Sequence, residues 1–124
     1  MWKKINPNPC RAEEPDCVVR AISIALGKTW DEVHWDLCEL SHEMCTMPSV
    51  NWLWGMYLKQ HGYRQFMLPE SCPSCVSVKA FCRMFPVGRY VIGTGSHAVA
   101  VIDGNYCDAW DSGDEIPSYF WKGE

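Results

Sequence analysis

The chain has no apolar run near the ~20 residues that a helix needs to cross a bilayer. Its first residues, MWKKINPNP, carry two lysines with no apolar stretch behind them, so an export signal is not expected. No basic cluster exceeds two residues and the formal net charge is −4, which argues against nucleic-acid binding through a basic patch. There is no N-x-[ST] sequon, no internal repeat and no low-complexity linker. These absences together lead us to expect a cytoplasmic protein with neither a membrane nor a nucleic acid as its partner.

What is present fits one domain. The 124 residues leave little room for two, and 48% hydrophobic content is enough for a core and too much for a disordered chain. Eight cysteines in so short a chain raise the possibility of a disulfide scaffold. Without an export signal, with several cysteines inside helical patterns and with ample apolar content, reduced thiols are the expectation.

The helical signals come first. Pro15 and Asp16 precede the run CVVRAISIAL, which Gly27 closes; Asp16 is the expected N-cap. Only Arg20 and Ser23 are polar in that run, so the helix should be central and mostly buried. TWDE reads as a capping box, Thr29 with Glu32, opening a second helix. Ser49 is placed to cap a third, VNWLWGMYLKQH, stopped by Gly62. YRQFML reads as a short strand and SVKAFCRMF as a short helix ended by Pro86. Beyond Pro86 the runs RYVIG, HAVAVI and NYCDAW are β-rich, and SYFW adds a further strand. Helices followed by an antiparallel meander predict an α+β fold, with N-terminal helices packed on a C-terminal antiparallel sheet.

Cys17 falls in the first turn of the central helix. Unpaired N–H groups and the helix dipole there favour a thiolate, the reactive form of cysteine. Position alone fits a buried structural thiol, the commonest fate of a free cysteine, better than a nucleophile. The second half of the constellation is His97, at the mouth of an apolar strand after a Gly/Ser-rich loop. If Asp103-Gly104 forms a two-residue turn, Ile102 pairs with Asn105, Val99 with Asp108 and His97 with Trp110. Asp108 then shares a face with His97, diagonally opposite it, where an acceptor can orient an imidazole. Asp111 points the other way in this register; a three-residue turn would bring it opposite His97 instead.

A Cys at the start of a central helix, a distant His at a strand start and an Asp on the next strand resemble the papain-like cysteine peptidase superfamily. DCVVRAIS is similar to the nucleophile helix of small bacterial and phage-type members, and GSHAVAVIDGNYCDAWDSGD to their His strand and the acidic strand after it. Asp108-Ala109-Trp110 looks like the Asn-Ser-Trp of papain, which implies that Trp110 shields the bond between His97 and Asp108. The resemblance covers roughly Asn8–Ser23 and Arg89–Asp114 and leaves the middle of the chain unmatched. It implies a Cys17–His97–Asp108 triad that cleaves an amide or isopeptide bond in a peptide or protein through a thioester, with no cofactor. Glutamine deamidation or acyl transfer by the same thioester, or a silent binding module, are the alternatives. One departure stands out: where papain has an oxyanion-hole Gln, six residues before the nucleophile, this chain has Arg11. Asn8 could supply that donor, with Asn6 further upstream, or the Asn-Pro pairs could simply start turns.

Other signals are weaker. Cys72 and Cys75 in CPSC have zinc-ligand or redox spacing, and Cys38, His42 and Cys45 could complete a site, although a helix would bring them together anyway. Trp30, Trp35, Trp52 and Trp54 read as core or helix-packing residues. His34, His42 and His61 read as ordinary surface or interhelical residues.

Overall fold

The computed structural model describes residues 1–11, 14–68 and 75–123. Ten elements follow in chain order: β1 (Trp2–Lys4), α1 (Cys17–Leu26), α2 (Trp30–Glu43), α3 (Asn51–Gln60), β2 (Arg64–Met67), α4 (Val78–Met84), β3 (Arg89–Gly93), β4 (Ala98–Ile102), β5 (Asn105–Asp108) and β6 (Tyr119–Lys122). The fold is α+β. Among the described residues no helix is long and apolar enough to cross a membrane.

The sheet has six strands in the order β1-β5-β4-β3-β6-β2. Pairing is antiparallel except at one edge, where β1 runs parallel to β5 with Trp2 opposite Tyr106. This corrects the expectation of a purely antiparallel, C-terminal sheet. The N-terminal strand is too short and too polar to show a period of its own; it exists because the edge of β5 offers a ladder. At the other edge β2, from the middle of the chain, pairs with β6.

Strand alternation divides the core between the two faces of the sheet. Val91, Ala98, Ala100, Cys107 and Trp121 pack with α1, α2 and α3 residues such as Ile22, Leu37 and Leu58. Tyr90, Ile92, Val99, Val101, Tyr106 and Phe120 pack with Val78 and Phe81 of α4. Helix α1 is the apolar central helix expected: Val19, Ala21, Ile22 and Ala25 are buried, and so are its polar pair, Arg20 and Ser23. It ends at Gly27, whose φ of 67° is left-handed and whose N–H reaches the Ser23 carbonyl.

Local corrections follow the same logic. The Thr29–Glu32 capping box is present. Val50, not Ser49, occupies the cap position of α3. Trp54 is buried, but Trp35 and Trp52 are 69% and 52% exposed, so the core reading fails for these two. Among the described residues six cysteines are free thiols, namely Cys10, Cys17, Cys38, Cys45, Cys82 and Cys107. Cys75 is disulfide-bonded, which corrects the expectation of wholly reduced thiols. A compartment argument sets an average redox state and not that of one thiol. Cys72 lies outside the described residues.

The β4–β5 hairpin sets the register that matters. Ile102 pairs with Asn105, Val101 with Tyr106 and Ala100 with Cys107. Asp103 and Gly104 have φ of 48° and 78°, as a type I′ turn requires. A Cβ on Gly104 would also meet backbone, 3.3 Å from the Pro86 Cα and 3.4 Å from the Cys82 carbonyl oxygen. Gly104→Val should therefore destabilise the protein by about 1–2 kcal/mol, the cost of a side chain forced into left-handed backbone. Urea denaturation checks this, and an unchanged midpoint would contradict the turn assignment.

Candidate active site

Cys17 opens α1, where the first N–H groups have no carbonyl one turn back within the helix. Asp16 holds the cap position but makes no side-chain cap bond to the helix. Its carboxylate instead accepts Nδ2–H of Asn8 at 3.0 Å and the indole N–H of Trp30 at 2.9 Å, and pairs with Arg20 Nη1. Two donors from outside the helix, Asn8 and Trp30, and the guanidinium of Arg20 one turn along it outcompete the local cap, which is why the capping rule misassigned this side chain. The N–H groups at the helix start are left to whatever lies in front of them.

His97 sits immediately before β4. Its position is set by Thr94, whose hydroxyl accepts the His97 N–H at 2.8 Å and whose own N–H donates to the His97 carbonyl at 2.8 Å. The two-residue turn at Asp103-Gly104 sets a ladder that runs to Ala100 opposite Cys107, and Asp108 follows it at the end of the hairpin where His97 lies. His97 Nε2 lies 2.7 Å from Asp108 Oδ2. That bond leaves Nδ1 as the ring nitrogen for Cys17, and the ring does interact with the thiol. Trp110 covers one side of the imidazole, with ring centroids 4.7 Å apart.

Asp108 is 3% exposed and fully engaged. Ser112 Oγ donates to Oδ2 at 2.7 Å, the Ala109 N–H to Oδ1 at 2.7 Å, and Arg20 Nη2 to Oδ1 at 3.3 Å. Asp111 lies elsewhere: it accepts the Tyr106 hydroxyl at 2.5 Å and the Gly113 N–H at 3.1 Å, closing its own loop. The structure thus pairs His97 with Asp108 and not with Asp111. Ser112, Thr94 and Arg20 were not picked out from the sequence; Arg20 alone left a signal, a charge on an otherwise apolar helix.

Electrostatics follow from these contacts. Burial raises the Cys17 thiol pKa, but the His97 hydrogen bond, the Ala98 N–H and the charges of His97 and Arg20 together hold it below its ordinary value. Burial works against a charged His97, yet the bonds to Asp108 and Cys17 push its pKa up to about 9. Burial also works against a charged Asp108, and the His97 and Ser112 bonds outweigh it and hold the carboxyl below the usual range. All three shifts favour a thiolate–imidazolium pair beside a carboxylate.

The site opens into a cavity of about 460 Å³ lined by Cys17, His97, Trp110, Trp54, Ser49 and Asn51, among others. Asn8 lines a neighbouring cavity instead, with Pro15, Trp30 and His34. Its side-chain oxygen accepts the Cys10 N–H at 2.9 Å, and its Nδ2 is given to Asp16. The turn-forming reading of the Asn-Pro segment is what its bonds show, and no contact places the Asn8 amide at Cys17. The ligand sets considered for zinc are not gathered either: Cys38 Sγ faces His34 Nε2 at 3.8 Å, and no group of three or more His, Cys, Asp or Glu among the described residues is arranged to hold a metal ion.

Ser112→Ala should cost about 1–3 kcal/mol at neutral pH, because the hydroxyl donates to a buried charge. Asp108 has a depressed folded pKa, so the stability it contributes is present above the unfolded value and is lost as pH falls through the folded one. Denaturation at several pH values should show the wild-type advantage over Ser112→Ala shrinking below pH 4; a constant difference would refute the assignment.

No protein-family model, curated protein or solved structure matches the chain.

Proposed function

We propose that the chain is a thiol-dependent hydrolase, a cysteine peptidase of papain-like architecture that cleaves an amide or isopeptide bond in a peptide or protein. The observation that carries this reading is the meeting, at an open cavity, of a helix-start thiol, an imidazole and a buried carboxylate from three separate elements. A structural thiol needs no such partners, and burial alone would raise its pKa rather than lower it.

The chemistry follows from the atoms present. Cys17 Sγ⁻ adds to the acyl carbon, and the resulting oxyanion faces the unpaired N–H groups at the start of α1. Collapse breaks the C–N bond as His97 Nδ1–H passes its proton to the leaving amine. The acyl group is now a thioester on Cys17, and His97 is neutral with Nε2–H held by Asp108. Water adds to the thioester while Nδ1 takes its proton. Expulsion of the thiolate releases the carboxylic acid and restores the ion pair. Asp108 keeps one ring nitrogen occupied throughout, so the other always faces the reacting centre.

The ion pair exists between the depressed pKa of Cys17 and the raised pKa of His97, about 9. Iodoacetamide at pH 6 should therefore alkylate Cys17 in preference to the other free thiols. His97→Ala should slow that labelling roughly ten- to a hundredfold, since each unit of pKa is a factor of ten in thiolate at that pH. Mass spectrometry of the digested protein reads both. Labelling spread evenly over the free cysteines, or indifferent to His97, would sink the enzyme reading.

A further inference from the structure

Arg20 lies on α1 one turn after Cys17, with its side chain 8% exposed. A buried guanidinium has to be neutralised. Here it meets two carboxylates from distant parts of the chain. Nη1 pairs with Asp16 and reaches the Glu14 carbonyl at 3.4 Å; Nη2 reaches Asp108 Oδ1 at 3.3 Å. Both carboxylate side chains are themselves buried, at 8% and 3% exposure. Nε is buried without a partner, so the side chain is held by its fork and not by its stem. The planar fork is what allows one residue to span two acids.

Two consequences follow. Asp108 Oδ1 is fixed by Arg20 and the Ala109 N–H, which leaves Oδ2 to His97 and Ser112. The carboxylate therefore cannot rotate without breaking four bonds. A permanent positive charge also stands beneath the thiol, on the same helix. Among the described residues, the charged or titratable groups around Cys17 are His97, whose ring acts on the thiol, Arg20, Asp16 next to it in the chain, Glu14 across the cavity wall, Asp108 behind His97, and Tyr119, whose phenol feels the thiolate. Of these, Arg20 is the one fixed cation.

We propose that Arg20 is a positioning residue for the Cys17–His97–Asp108 centre: it ties the acid to the nucleophile helix and keeps a cation under the thiolate. The inference rests on the catalytic reading of that centre. Arg20 touches neither substrate nor reacting atoms; it acts through Asp108 and through its field. Lysine at this position keeps the charge but has no fork to span both acids. An uncharged residue of similar length keeps neither.

The test is the rate of iodoacetamide alkylation at Cys17 from pH 4 to 10, corrected for folded fraction by circular dichroism, in the wild type, Arg20→Lys and Arg20→Met. Arg20→Met should raise the pH midpoint and lower the rate at pH 6 about tenfold; Arg20→Lys should stay within about threefold of wild type. A merely structural arginine would change the folded fraction and leave the midpoint where it is. If Arg20→Met alone does not fold, the comparison moves to Asp16→Asn with and without Arg20→Met, where no excess carboxylate remains at position 16. The same upward shift there supports the inference and its absence overturns it. An unmoved midpoint in Arg20→Met, or an equal displacement in Arg20→Lys, overturns it as well. A wild-type Cys17 that reacts only in the ordinary thiol range overturns the catalytic reading too; a low wild-type midpoint indifferent to Arg20 overturns this inference alone.

Discussion

The carboxylate of Asp108 is the joint on which the structure turns. It is buried at the end of β5 and takes hydrogen bonds from His97 before β4, Ser112 in the following loop, Arg20 on α1 and the Ala109 N–H. Its backbone carbonyl is also used, by the Ile5 N–H at 3.0 Å and the Trp2 indole at 3.2 Å. A buried carboxylate without partners is costly, so these groups have to arrive together for the fold to form. The folded state and the candidate site therefore share one requirement. Helix α1 packs Val19, Ile22 and Ala25 into the core on this face of the sheet, but apolar packing alone tolerates small slides. The bond from Arg20 to Asp108 fixes where along the sheet the helix start comes to rest.

That placement explains why Cys17 differs from the other buried thiols. A cysteine simply buried is the inert kind, with its pKa raised, as Cys82 and Cys107 are here. Cys17 is also desolvated, yet its pKa moves the other way. The difference lies in neighbours: an imidazole, the Ala98 N–H and a guanidinium for Cys17, against largely apolar surroundings for the other two. Desolvation strengthens these attractions as well as opposing them, because each acts through less water. The sheet supplies the rigidity: β4 begins at Ala98, directly after His97, so the imidazole and the N–H donor are neighbours at the mouth of one strand.

Legibility in the sequence followed the range of each interaction. The α1 boundaries were readable because Pro15 and Gly27 act locally, and the hairpin because Asp-Gly specifies its own turn. From that turn the pleat carried the register four residues on to Asp108, a long reach for a local signal. Strand β1 was not readable: three residues, two of them exposed lysines, have no pattern until β5 is beside them. Ser112 and Thr94 look like ordinary loop residues because their partners are fixed by tertiary structure. Asp16 misled in an instructive way. Its type and place fit an N-cap, but Trp30, Asn8 and Arg20 compete for the same oxygens and win, two of them from residues far from the first turn. The proposal of a papain-like architecture rests on the resemblance in the two motif segments.

The upstream segment NPNP then takes on a different meaning from that of an oxyanion donor. Asn8 bends the chain through its own carbonyl and side-chain oxygen, and gives its amide to Asp16. Asp16 pairs with Arg20, Arg20 with Asp108, and Asp108 with His97. The segment is thus the far end of a continuous polar chain that terminates at the imidazole. In the proposed reaction its contribution is to charge placement, several bonds removed from the acyl group. In that proposal the oxyanion is held instead by the backbone at the start of α1. Those N–H groups remain available because Asp16, the residue expected to cap them, is occupied elsewhere. A side chain that capped the helix would have satisfied the same donors that the proposed reaction uses.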